Sequence, residues 1–471
     1  MTGQKCELGL IGLGTMGQNL LMNMADSNYA VAGYDKNPEQ VDKLKEATKK
    51  YDIFGAYGLK SFITVLKKPR IIVLLVPAGK IVDYVIADLI PQLENGDIII
   101  DGGNSYFVDT DRRIEELKDT GIHFVGMGIS GGAKGARKGP SMMPGGHPDT
   151  WNRVKNIFEA TAAKANGEPC VAHMGNGSAG HYVKMVHNGI EYGLMELLAE
   201  AYDFMKNILG LDNDTISQTF KKWDSGRLQS FLVEITGKIF TQMDTESDQY
   251  LIDVIRDESK SKGTGKWTSQ DAMDIGATVP VIDVAVVMRY LSALKPERGK
   301  ASSIYNNEVQ LAAKDQVSTL LDQLESALYF SFAVTYAQGM AQLKTASSEY
   351  KFNLNMESIA AIWRAGCIIR ADFLEDIRKA YQENNDLENL LLDGSISNIL
   401  KSEEGNMRKI VSTAITAGLP FMAFANAITY FDGYRSKRLP ANLIQAQRDY
   451  FGSHTYERMD KEGKFHTEWN N

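Results

Sequence analysis

Residues 7–20 read Glu7-Leu-Gly-Leu-Ile-Gly12-Leu-Gly14-Thr-Met-Gly17-Gln-Asn-Leu20. An apolar run leads into Gly-x-Gly-x-x-Gly, and a helical run, Gln18 to about Ala25, follows. That context, strand then turn then helix, is what a dinucleotide-binding turn requires. The first glycine makes the tight turn, the second lets the backbone approach a pyrophosphate, and the third packs helix on strand. The helix N-terminus then faces the phosphates. The reading commits the first part of the chain to a Rossmann-like α/β fold.

Working outward, a second strand at 29–34 ends in Asp35-Lys36-Asn37. Asp35 stands where an acidic residue takes the adenosine ribose 2′-hydroxyl of NAD. Lys36 could instead meet the 2′-phosphate of NADP, so these residues leave both cofactors open. The βα rhythm continues through apolar strands at 70–76, 97–101 and 122–127, with helices near 79–92, 109–118 and 148–160. The strands at 97–101 and 122–127 run into Gly102-Gly-Asn104-Ser and Gly128-Ile-Ser130-Gly131-Gly132. Ligands of open α/β sheets gather at such carboxyl ends, which makes Asn104, Ser130, Gly131 and Gly132 candidates to hold a substrate. Pro140–Gly146 reads as a compact turn, and a strand at 169–174 is expected to close a domain spanning 1–178.

From 180 onward the strand signals vanish. Helix-period apolar positions cover 180–208, 213–222, 228–240, 247–257, 269–275, 280–293, 314–349, 355–381 and 409–430, which argues an all-α domain over 179–435. The long Ala/Tyr/Met-rich segments 180–206 and 324–350 resemble one another and suggest an internal helical duplication. Lys260-Ser-Lys262-Gly-Thr264-Gly-Lys-Trp-Thr268 is a short basic, glycine-rich loop suited to an anion. A tail, 436–471, carries Arg448 and His454, also arranged for an anion.

The chemistry concentrates in Gly180-His-Tyr-Val-Lys184-Met-Val-His187-Asn188-Gly-Ile-Glu191-Tyr192. Wound at ~100° per residue, Lys184, His187, Asn188 and Glu191 lie within roughly 40–60° of one line. Gly180 and Gly189 each cost ~1 kcal/mol against Ala in a helix, so something must approach the backbone closely there. A dinucleotide takes a hydride, and a base must take the hydroxyl proton. Lys184 can be that base if its pKa falls from ~10.4 to about 7–8, a shift of roughly 3–4 kcal/mol that burial and a cation such as Lys262 could supply. Glu191, about 10 Å along the face, can be the acid. The pair suits a β-hydroxy acid: oxidation gives a ketone β to a carboxylate, CO2 leaves, and the acid protonates the enediol carbon. Lys184 in its charged form can stabilise the enolate, and no metal-ligand spacing is visible.

Composition sets outer bounds. At 471 residues, two or three domains are the prior. A net charge of −8 gives no basic character for nucleic acid. Three scattered cysteines, Cys6, Cys170 and Cys367, form neither a disulfide framework nor a metal spacing, and point to a reduced cytoplasmic setting. The N-terminus shows no leader-like n-region or cleavage site. No apolar run is long enough for a membrane span.

The chain resembles the decarboxylating 6-phosphogluconate dehydrogenases over essentially its whole length. The resemblance is carried by 9–20, by Asp97-Ile-Ile-Ile-Asp-Gly-Gly-Asn-Ser105, by Ile129-Ser-Gly-Gly132 with Gly135-Ala-Arg137, by 180–193, by 262–268 and by Leu439–His454. It implies oxidation and decarboxylation of 6-phosphogluconate to ribulose 5-phosphate in the pentose phosphate pathway. By motif position Lys184 looks like the family's base and Glu191 like its acid. Asn104, Ser130, Gly131, Gly132, His187 and Asn188 resemble its sugar-acid ligands, and Tyr192, Lys262, Thr264 and Arg289 its phosphate ligands. Arg448 and His454 resemble the pair that a homodimer's second subunit donates. Gly12, Gly14, Thr15, Met16, Gly17, Asp35, Lys36, Asn37, Val76, Pro77, Ala78 and Asn104 then fall to the dinucleotide.

The departures cluster at the cofactor. Asp35-Lys36-Asn37 stands where NADP-binding members usually have Asn-Arg-Thr, and Pro77 stands where a lysine is usual. Ala133-Lys134 replaces Glu-Glu, and Gly14-Thr15 replaces Ala-Val. Family habit implies NADP; the loss of 2′-phosphate donors and the gain of Asp35 argue NAD. The alternative reading is a related β-hydroxyacid dehydrogenase acting on a small unphosphorylated acid. Those chains are usually shorter and lack the long helical duplication and the tail.

Overall fold

The computed structural model describes residues 5–48, 51, 53–305 and 308–469. Seven strands form one sheet in the order β3-β2-β1-β4-β5-β6-β7. They are β1 (Leu8–Ile11), β2 (Val31–Tyr34), β3 (Ile53–Ala56), β4 (Ile71–Leu74), β5 (Ile98–Asp101), β6 (His123–Ser130) and β7 (Ser141–Pro144). Strands β1 to β6 pair in parallel, and β7 runs antiparallel to β6. Apolar side chains cover both faces, as a parallel sheet flanked by helices demands. The strand order reverses between β1 and β4, so a crevice opens at the carboxyl ends of these two strands. There lies a cavity of about 300 Å³ lined by Gly12, Gly14, Tyr34, Asp35, Lys36, Val76, Pro77 and Asp88 among others. Gly12 (φ 103°) turns the chain into it, where a Cβ would lie 2.4 Å from the Leu75 carbonyl oxygen.

The remainder is helical, as expected, apart from two-residue strand pairs. Two long helices, Ala179–Asn207 and Val317–Glu349, form its centre. They run antiparallel: Gly193 faces Thr335, Ile190 faces Gly339, and the Gln342 amide reaches the Tyr182 hydroxyl at 3.4 Å. The connection before helix Phe231–Ile239 pairs with the connection before helix Phe373–Glu383. Phe231 N–H donates to Arg370 O at 3.0 Å, Asp372 N–H donates to Gln229 O at 3.1 Å, and Ser230 bridges Ala371 antiparallel. The two connections thus meet face to face.

Several elements differ from the sequence reading. Strand β3 was not anticipated, since four residues with one glycine carry little pattern. Pro140–Gly146 holds β7 rather than only a turn, because β6 supplies an edge for Ser141–Pro144 to pair with. The strand at 169–174 reduces to a bridge from Val171 to Met142 and a small hairpin at Lys164–Ala165 and Glu168–Pro169. The single helix at 355–381 is two, Met356–Trp363 and Phe373–Glu383, interrupted around Gly366 (φ 71°), whose carbonyl accepts from Ser141 N–H. The helix at 409–430 is likewise two, Gly394–Thr416 and Met422–Tyr434, parted at Gly418 (φ 77°) and Pro420. Within the basic loop, Thr264 already begins a helix, Thr264–Asp274. Helix Lys295–Tyr305 was missed. No helix among the described residues is long and apolar enough to cross a membrane.

Candidate active site

Helix 179–207 passes the sheet at β6 and β7. A Cβ on Gly180 would sit 2.3 Å from the carbonyl oxygens of both Gly126 and Met143, and one on Gly189 would sit 2.5 Å from Thr268 Cγ2. Both glycines are therefore points of close approach, as their cost in a helix implied. Gly128 lets the Lys184 stem lie flat on β6 in the same way. The polar face predicted on this helix is thereby turned inward.

Lys184 and His187 are buried, with 6% and 0% of their surface exposed. Lys184 Nζ lies 3.5 Å from His187 Nδ1. That ring nitrogen is 3.1 Å from Asn188 Oδ1 and 3.9 Å from Glu191 Oε2. His187 Nε2 is 3.2 Å from Ser130 Oγ at the end of β6. The Asn188 amide donates to Thr264 Oγ1 at 3.1 Å. Helix 179–207, the end of β6 and the start of helix 264–274 thus converge on one spot.

The electrostatics have the required signs. Burial depresses the Lys184 ammonium below its ordinary value, while the acidic groups of Glu191 and Cys367 nearby act in the opposite direction. Burial, then the Lys184 charge, holds His187 well below the usual imidazole range. Burial raises the Glu191 carboxyl, opposed by Lys184 and Arg289. Removal from water favours a neutral amine at 184 and a protonated acid at 191 together. Lys262, suggested from sequence as the cation that lowers Lys184, is exposed and plays no part in that shift.

A second group lies one turn further on. The Arg289 guanidinium stacks 3.4 Å from the centroid of the Tyr192 ring, while Gly265 packs against that ring. Arg289 Nη1 donates to Lys260 O at 3.2 Å, which ties Arg289 to the basic loop carrying Lys262 and Thr264. Gly131 (φ 114°) abuts the Gly366 carbonyl, and Gly132 begins the short helix Gly132–Lys138. Asn104 stands exposed in the turn after β5. Arg448 and His454 lie apart from this cluster, exposed on the tail helix Ala441–Gly452 and just beyond it.

At the cofactor crevice, Leu13 N–H donates to Asp35 Oδ2 at 2.7 Å and Asn37 N–H to Oδ1 at 2.9 Å. Asp35 therefore faces the glycine turn itself. Lys36 Nζ lies 3.5 Å from Asp88, a second carboxylate lining the same cavity. Asn37 caps helix Pro38–Ala47, its Oδ1 accepting from Glu39 N–H at 3.0 Å. Helix Thr15–Asp26 starts at the turn with Thr15 and Met16. Pro77 and Ala78 are exposed at the rim. Crevice, glycine turn and helix N-terminus together fit a dinucleotide.

The comparisons agree with this geometry. Residues 7–175 match the description "NAD binding domain of 6-phosphogluconate dehydrogenase", and residues 180–469 match "6-phosphogluconate dehydrogenase, C-terminal domain". The chain belongs to the 6-phosphogluconate dehydrogenase family. The NADP(+)-dependent, decarboxylating 6-phosphogluconate dehydrogenase of Bacillus subtilis is 48% identical over 465 residues, 99% of each chain. The decarboxylating enzyme of Lactococcus lactis subsp. lactis is 48% identical over 467 residues, again 99% of each chain. The Plasmodium falciparum 6-phosphogluconate dehydrogenase, solved apo, with its cofactor NADP+ and with its substrate 6-phosphogluconate, superposes with a TM-score of 0.96. Its identity is 43%, covering 98% of this chain and 100% of that one.

In this member of the 6-phosphogluconate dehydrogenase family, several residues around the site were missed from sequence. Trp363 meets the His187 ring edge-on at 5.6 Å, and Cys367 is buried close by, its thiol pushed up to about 12 by burial. The Asp101 carboxylate, at the end of β5, accepts from Gly103 N–H at 3.0 Å and Ser105 Oγ at 2.6 Å, which shapes the turn bearing Asn104. Buried Arg113 contacts Asp101 and donates to Gly79 O at 3.0 Å, so one guanidinium fixes both the 76–79 and the 102–105 turns. The buried Asp that ends an otherwise apolar strand was the available signal; its arginine partner carried none.

Proposed function

We infer that this chain catalyses oxidative decarboxylation of 6-phosphogluconate to ribulose 5-phosphate and CO2, with reduction of NADP or NAD. The observation that carries the reading is the row Lys184–His187–Asn188–Glu191, buried at Lys184 and His187 and half-buried at Asn188 and Glu191, seated on the end of β6 beside the dinucleotide crevice. When bound, the nicotinamide ring supplies the hydride acceptor. Neutral Lys184 takes the proton of the substrate's C3 hydroxyl as the hydride leaves C3. The ammonium so formed stabilises the enolate oxygen on C3 as the C1–C2 bond breaks, C1 leaves as CO2, and the bond's electrons form the C2=C3 double bond of the enediol. Glu191, whose protonated form burial favours, delivers a proton to C2, which becomes C1 of the ribulose 5-phosphate. Ser130, Gly131, Gly132, Asn104, His187 and Asn188 hold the sugar acid, and Tyr192, Lys262, Thr264 and Arg289 hold the phosphate. Gly12, Gly14, Thr15, Met16, Gly17, Asp35, Lys36, Asn37, Val76, Pro77 and Ala78 hold the dinucleotide.

The enzyme acts as a homodimer in which Arg448 and His454 reach the neighbouring site; their exposure on a tail outside their own chain's cluster supports this. The boundaries drawn at 178 and 435 follow the change from sheet to helix and the start of that tail. Three buried cysteines without a disulfide support a cytoplasmic setting. The test is an assay of purified chain with 6-phosphogluconate, following CO2 and reduced dinucleotide, with small unphosphorylated β-hydroxy acids in parallel. Turnover of 6-phosphogluconate that Lys184→Ala abolishes is expected. Preferential turnover of the small acids would overturn the reading.

A further inference from the structure

The tail holds a polar hub that the reaction described above does not use. Asp449 is fully buried, although the helix carrying it, Ala441–Gly452, is otherwise largely exposed. Its Oδ1 accepts from Thr455 N–H at 2.9 Å and lies 2.9 Å from His466 Nδ1. Its Oδ2 accepts from Thr467 N–H at 3.1 Å and from the Trp469 indole N–H at 2.9 Å. One carboxylate therefore gathers the helix end, the loop after it and the last described residues, around the small hairpin Tyr456–Glu457 and Lys464–Phe465.

The loop between is strained in a telling place. Ser453 (φ 50°) and Thr455 (φ 60°) both adopt left-handed backbone, a conformation non-glycine residues hold only where their surroundings impose it. His454 is the residue between them, and Arg448 immediately precedes Asp449. The Gln445 amide donates to Thr455 O at 2.6 Å, and Arg448 Nη1 donates to Gln445 Oε1 at 3.2 Å, so both candidate anion ligands hang on the same scaffold.

We propose that Asp449 is a positioning residue: by gathering Thr455, His466, Thr467 and Trp469 it fixes the loop that presents Arg448 and His454 to the substrate phosphate in the neighbouring subunit. This rests on the reading that the tail completes that site. A carboxylate suits the hub because it offers only acceptors, and three of the four groups around it are N–H donors by constitution. An amide would set its own N–H2 against at least one of them.

The test is Asp449→Asn in the full-length enzyme, beside Arg448→Ala, His454→Ala and the milder Trp469→Phe. For Asp449→Asn, KM for 6-phosphogluconate is expected to rise about tenfold or more, the scale of a lost charge-assisted bond. The dinucleotide KM and the dimer mass should stay unchanged. Trp469→Phe, which removes one donor, should give a smaller rise in the same constant. If Arg448→Ala and His454→Ala raise this KM while Asp449→Asn does not, the positioning role is refuted and the tail reading stands. If none of the three moves it, the tail reading falls and the proposal with it. Dissociation of Asp449→Asn to monomers would assign the residue to assembly and equally overturn the proposal.

Discussion

Asp35→Asn bears directly on cofactor choice. The Asp35 carboxylate lines the dinucleotide cavity and is held by the N–H groups of Leu13 and Asn37, so its position is set by the glycine turn itself. The Lys36 ammonium, next in sequence to Asp35, lies 3.5 Å from Asp88 and so already faces a second negative charge of the same cavity. A 2′-phosphate about 4 Å from a carboxylate is opposed by ~4 kcal/mol per unit charge at an effective dielectric near 20. Asp35 is only partly buried and faces salt, which reduces this to roughly 1.5–3 kcal/mol. Neutralising it should therefore shift the ratio of kcat/KM for NADP to kcat/KM for NAD about ten- to hundredfold toward NADP. An asparagine keeps one acceptor for the two N–H groups, so the turn is retained in part. The assay is initial-rate kinetics with each cofactor at saturating 6-phosphogluconate, repeated at low and high salt, where the shift should shrink as salt rises. A ratio unchanged within twofold at low salt would refute the electrostatic reasoning.

Three further outcomes follow from the helical half. Glu191→Gln should lower kcat by about 10²–10⁴-fold and remove the alkaline limb of its pH profile, because the carboxyl that must stay protonated is the one burial raises; an intact alkaline limb in the variant assigns the acid elsewhere. Gly265→Ala would place a Cβ 2.5 Å from the Tyr192 ring, which cannot withdraw with Arg289 stacked on it. KM for 6-phosphogluconate should rise about tenfold with cofactor KM unchanged, on the scale of an ångström-sized misplacement; an unaltered substrate KM would show that this pair does not touch the phosphate. Glu200 is buried in the helical core, accepting from the N–H groups of Ala423 and Phe424, and burial raises its carboxyl to about 8. Because the folded value exceeds the unfolded one, stability is full below the unfolded value and is lost as pH rises toward 8, by at most about 1.4 kcal/mol per pH unit. Melting temperatures of wild type and Glu200→Gln should diverge between about pH 5 and pH 8, the variant being the flatter. Parallel curves would place the titration at another group.

What could be read from the chain alone was whatever depends on near neighbours in sequence. The glycine turn at 12–17 lies between its strand and its helix, and Asp35 sits at the next strand's end, because βα units are local. Lys184, His187, Asn188 and Glu191 share a face because a helix repeats every three to four residues. Whether that face met water or the interior was undecidable locally. It was settled by Gly126, Gly128 and Met143 on one side and Thr268 on the other, brought to it across the fold, and their packing removes the water that would otherwise keep Lys184 charged. The same separation hid Arg113 from Asp101 and Gly79, the break around Gly366 that seats Gly131, and the four tail residues that meet at Asp449. A sequence declares which groups are available to an active site; desolvation, which determines their protonation, is a property of contacts between distant segments and exists only once the chain has folded.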